Sequence, residues 1–100
     1  MKTDAPTTTT MTVDHVMKHW LPDKHGKPAE WTWEDAAAHA LLHETTTTFA
    51  VLVRIREEGI GFADGHSPIL LGTNVHVWDG HHRLILARAL GIMHVEVELA

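Results

Sequence analysis

The chain has 100 residues, 44% of them apolar, a formal net charge of −5 and no cysteine. That length supports one domain with a thin core, and the missing cysteine excludes disulfides, thiolate zinc sites and a cysteine nucleophile. The acidic balance argues against a broad basic face for gripping DNA, which needs many Lys and Arg.

No apolar run approaches the ~18 residues of a membrane span, and the N-terminus has no apolar signal core. Neither a membrane segment nor a secretory leader is expected, and a cytoplasmic location is. Ten histidines make the electrostatics sensitive to pH, because free imidazoles titrate near ~6.5.

In chain order, residues 1–11 read as a disordered tail: a threonine run with Pro6 has no periodicity to offset the ordering entropy. From residue 12 onward the chain reads as a single domain, 12–100. Thr12 or Asp14 is placed to cap a short helix through Trp20, with Val13, Val16, Met17 and Trp20 at helical spacing. Leu21-Pro22 ends it, and Asp23 to Pro28 is a polar turn. Thr32 followed by Asp35 echoes a capping box for a helix from Trp33 to about His43. Thr45 to Thr48 is β-branched and is expected to break the helix.

Phe49 to Glu58 returns to helical spacing and stops at Gly59, although Val51, Val53 and Ile55 also alternate as a strand would. After a loop over 61–66, Ile69 to Leu71 predicts a short buried strand. Gly72-Thr73-Asn74 predicts a turn into a second strand, Val75 to Trp78. A helix from His82 to Leu90 closes on Gly91, and Val95, Val97 and Leu99 alternate with His94, Glu96 and Glu98 in a last strand. Helices followed by β-β-α-β predict an α+β fold with a small mixed sheet and extra N-terminal helices.

The chemistry concentrates at Trp78-Asp79-Gly80-His81-His82-Arg83, where a strand hands over to a helix. A helix N-terminus exposes unpaired N–H groups and a partial positive charge, so it attracts anions. Gly80 lets the backbone approach a ligand, and Arg83 offers a charge-assisted bond. His81 and His82 are the candidate general acid and base, and Asp79 is the local carboxylate for magnesium or for orienting an imidazole.

The bland alternative is a structural turn in which Asp79 caps the helix and pairs with Arg83. A zinc site from His76, Asp79, His81, His82, His66 and His94 is not favoured. No His-Glu-x-x-His pattern is present, and adjacent histidines at a helix start are expected to diverge. His39 and His43, four residues apart, are at best a weak chelate. The Trp31-Thr32-Trp33 cluster is better explained as core packing than as a partner surface.

The residues Ile55-Arg56-Glu57-Glu58-Gly59-Ile60, Ser67-Pro68-Ile69-Leu70-Leu71, Val77 to Leu84, Ala87-Arg88-Ala89-Leu90-Gly91 and Val95-Glu96-Val97 fall in an order that resembles the N-terminal domain of the ParB/sulfiredoxin superfamily. The resemblance covers about 49–100. It implies a phosphate-cradling turn formed by Gly80, His81, His82 and Arg83, with Ser67 and Pro68 on the opposite wall. It also implies CTP, ATP or ADP with Mg2+ as ligands.

His81 stands where sulfiredoxins carry their catalytic cysteine, so peroxide-repair chemistry is excluded. His81 and His82 also depart from the acidic residue and arginine of partition proteins. The sequence before Thr48 lies outside the resemblance. The expectation is a nucleotide- or phosphate-binding module, a small accessory protein of a phage or other mobile element working in the host cytoplasm. The alternatives are an interaction protein aimed at a host protein and a nucleotide-dependent enzyme, kinase or nuclease.

Overall fold

The computed structural model describes residues 7–22, 31–60 and 68–100. In chain order these form β1 (Thr7–Thr12), α1 (Val13–His19), α2 (Trp33–His43), α3 (Thr45–Glu58), β2 (Ile69–Leu71), β3 (Val77–Asp79), α4 (His81–Leu90) and β4 (His94–Leu99). The strands make one mixed sheet in the order β1-β4-β2-β3. β1 runs antiparallel to β4, β2 runs parallel to β4, and β2 and β3 form an antiparallel hairpin with a register shift between Leu70 and Leu71. This is an α+β fold, with four helices beside a small mixed sheet among the described residues.

Two expectations fail on the threonine runs. Thr7–Thr12 is a strand and not a disordered tail; residues 1–6 lie outside the described residues. Threonine is β-branched and suits a pleated edge, and β4 supplies the ladder partner that local periodicity does not reveal. The helix does end at His43, as expected, but the second run, Thr45 to Thr48, is itself helical and forms the first turn of α3. Thr48 is buried there, and its hydroxyl donates to the Ala40 carbonyl at 2.9 Å, which ties α3 back onto α2. A tertiary hydrogen bond outweighs a propensity deficit of a few tenths of a kcal/mol per residue.

Several other local signals hold, but the strand expected over Val75 to Trp78 is Val77–Asp79, because Val75 turns at positive φ. The turn expected over 23–28 and the loop over 61–66 lie outside the described residues. Thr12 caps α1 by accepting from the His15 amide. Thr32 and Asp35 close a reciprocal capping box at the start of α2. Gly59 ends α3 and Gly91 ends α4, both at positive φ. The turn after β2 is less relaxed. Val75, a β-branched residue, sits at φ 60 while its carbonyl accepts from the Leu21 amide, and the Val77 amide donates to the Leu21 carbonyl. The segment after α1 is thereby sewn to the outer edge of β3 through the Leu21–His76 bridge.

α4 is the central helix. Five consecutive residues, Arg83 to Ala87, are buried, because α1, α2 and α3 all pack against it. Leu84 and Ala87 join Val13, Val16, Trp33, Ile69, Leu71, Val77, Val95 and Val97 in the main core, while Leu86 meets Ile55 of α3 in a smaller cluster. Trp33 is a core residue whose indole N–H donates to the Trp20 carbonyl, and Trp31 packs at the core's margin. The tryptophan cluster is therefore packing, as its position before α2 suggests. Among the described residues no helix is long and apolar enough to cross a membrane.

Candidate functional site

The β3–α4 junction places Gly80 at the helix N-cap with φ 102 and ψ 16. No side chain caps this helix start. Asp79 is the exposed last residue of β3 and does not cap α4, so the cap is glycine backbone. The reason for glycine is doubly local. An L side chain is strained at this φ. A Cβ would also stand 2.9 Å from the Ile69 Cγ1 and 3.2 Å from the Arg83 Nη2.

Arg83, expected from sequence to offer a charge-assisted bond, is not set at the surface. Its residue is only 4% exposed, and its guanidinium is packed directly beneath Gly80. Burial pulls its pKa below the ordinary arginine range, and the negative charge of Asp79 works against that loss. The Leu84 amide is not an open donor: it bonds the Gly80 carbonyl at 3.0 Å. Ser67 lies outside the described residues, and Pro68 sits half-buried immediately before β2.

His81 and His82 do not diverge. Their rings stack with centroids 4.3 Å apart and planes inclined by 30°. His82 Nε2 lies 3.0 Å from Glu44 Oε1, and His39 Nδ1 lies 3.5 Å from the same oxygen. Glu44 links α2 to α3, at the C-cap of one and the N-cap of the other. Partial burial pushes its carboxyl up, but hydrogen bonding and charge from His82, then from His39, prevail and hold it below the usual glutamate range. One ligand atom each from Glu44, His81 and His82 falls within a mutual distance of 4.8 Å.

Of the other histidines named from sequence, His76 and His94 do not join this cluster. His76 bonds the Pro22 carbonyl at 3.0 Å, His94 is exposed on β4, and His66 lies outside the described residues. Sequence reasoning found His81 and His82 but not Glu44 or the role of His39, 38 and 43 residues from His82. The one signal in the sequence was the His39-x-x-x-His43-Glu44 run, whose carboxylate follows directly on a helical histidine pair. Comparison with family models, with curated proteins and with solved structures finds no match to this chain.

Proposed function

We propose that the chain is a phosphate- or nucleotide-binding module of the ParB/sulfiredoxin kind, holding its anion at the start of α4. The observation that carries the reading is the Gly80 cap: the first turn of a ten-residue helix opens at a glycine, with no side-chain hydrogen bond capping it. Helix dipole and amide groups favour an anion there. The buried Arg83 guanidinium strengthens that preference from behind the glycine as a fixed positive charge, and need not reach the surface to do so. Asp79, exposed beside the turn, is the carboxylate available to a Mg2+ ion that accompanies a nucleotide.

The test is isothermal titration of CTP, ATP, ADP and inorganic phosphate, with and without Mg2+. Saturable heat from at least one, weakened about tenfold in Arg83→Met, is the expected result. Methionine keeps most of the buried stem while removing the charge, so circular dichroism should show a folded variant. No heat from any ligand at millimolar concentration overturns the proposal.

A second reading, an interaction protein, is favoured by a specific feature of the α2–α3 corner. Leu41, Leu42 and Phe49 are 59%, 73% and 65% exposed. Exposed large apolar residues mark contact surfaces where they form a contiguous patch. Under that reading a partner is lost on Leu42→Asp with Phe49→Asp and is indifferent to Arg83→Met; the reverse dependence rejects it.

A further inference from the structure

We infer that Glu44, His81 and His82 form a binding site for a divalent transition-metal ion of the zinc class. The argument begins with donor geometry. A tetrahedral ion with bonds of about 2.0–2.1 Å holds its ligand atoms roughly 3.3 Å apart. The His82 Nε2–Glu44 Oε1 separation is 3.0 Å, and all three candidate atoms lie within 4.8 Å of one another. Small side-chain rotations close the set. No backbone movement is needed, because the stacked rings already bring two imidazoles to the same carboxylate.

Donor chemistry selects the ion. Two imidazoles and a carboxylate suit zinc, cobalt, nickel or copper, whereas calcium and magnesium take oxygen ligands. Three protein ligands leave a fourth position for water or an anion oxygen, the pattern of an open site. His39 is the positioning residue. Its Nδ1 lies 3.5 Å from the Glu44 oxygen and orients the carboxylate from α2.

Two further histidine pairs offer less. His15 and His19 share α1 with ring centroids 4.4 Å apart, and His39 and His43 share α2 at 5.1 Å. Each is a two-donor set on one helix. The Glu44 site draws three donors from two places that the chain must fold to bring together.

The alternative is that Glu44 and its histidines are only an ion-pair network pinning α4 to the α2–α3 corner. Titration of the untagged chain with Zn2+ alone, and with Co2+ followed by visible absorption, separates the two. One ion per chain is expected at this site, with the intense d–d bands of low-coordinate cobalt. Glu44→Gln and His81→Asn should each weaken the affinity at least tenfold. His15→Asn and His94→Asn should leave it unchanged.

Absence of the cobalt bands at millimolar metal overturns the inference, and so does unchanged affinity in both site variants. His81→Asn keeps the test decisive if Glu44→Gln fails to fold, since the 3.0 Å and 3.5 Å contacts that pin Glu44 come from His82 and His39. No nucleotide is present in this titration, so its failure leaves the anion proposal standing, and the failure of that proposal leaves this one standing.

Discussion

Replacing Gly80 by alanine tests the local architecture of the site most directly. At φ 102 an L residue in the left-handed region costs about 1–2 kcal/mol. The new Cβ would press on the Ile69 Cγ1 at 2.9 Å and on the Arg83 Nη2 at 3.2 Å. Ile69 is almost wholly buried and has little room to yield, so overpacking adds about 1–3 kcal/mol. Alanine also restricts the unfolded chain, which returns about 0.4–1 kcal/mol. The net loss is about 2–4 kcal/mol.

Gly91→Ala is the control. Its φ is 76 but, among the described residues and apart from its chain neighbours, no atom lies within 4 Å of the position an alanine methyl would take, so it bears the backbone cost without the crowding. Urea unfolding followed by tryptophan fluorescence reads both. With an m value of about 1.5 kcal/mol/M, Gly80→Ala lowers the midpoint by roughly 1–3 M, and Gly91→Ala by under ~1 M. Equal shifts for the two variants, or a loss below about 1 kcal/mol at Gly80, would refute the claim that Arg83 and Ile69 fill the space beneath the turn.

Three further outcomes follow from other contacts. Thr48→Val removes the buried 2.9 Å bond to the Ala40 carbonyl while keeping the shape, and should cost about 1–2 kcal/mol by the same denaturation assay. Val75→Asn relieves a β-branched residue at φ 60 on an exposed turn and should raise stability by about 1 kcal/mol; a loss instead would mean that the turn is not strained. In metal-free buffer, the folded Glu44 carboxyl titrates below its unfolded value of about 4.3. The wild type therefore holds an increment of stability above pH ~4.3, lost as pH falls through the folded value, and Glu44→Gln should lack that acid limb. Parallel pH curves for the two proteins would show that Glu44 gains nothing from its histidines.

What could be read from the sequence follows how local each signal is. The Thr32–Asp35 box, the Gly59 and Gly91 stops and the alternation of β4 all lie within a few residues, and each appears where periodicity puts it. The two threonine runs misled because their fates depend on distant partners: β4 across the sheet for Thr7–Thr12, and the Ala40 carbonyl for Thr48. The same limit applied at the site. Gly80 was legible as a bend, since its neighbours on both sides have clear patterns. The burial of Arg83 was not, because three helices converge on α4 and only the assembled fold covers that side chain.

The metal reading rests on one mechanical fact that the anion reading does not share, the hold of the α2–α3 corner on Glu44. Glu44 sits at the junction of α2 and α3, and that junction is tied by the Thr48 hydroxyl donating to the Ala40 carbonyl and by the Thr48 amide donating to the Glu44 carbonyl at 2.8 Å. Loosening the corner should move the carboxylate away from the imidazoles while leaving Gly80 packed against Ile69 of β2 and the Arg83 guanidinium. Thr48→Val thus divides the site in a single variant: Zn2+ affinity should fall severalfold while phosphate affinity stays within twofold. If both fall together, the two halves form one cooperative unit and the anion and the metal share a single pocket. If neither falls, the corner is held by helix packing alone, and the buried threonine serves stability without shaping the site.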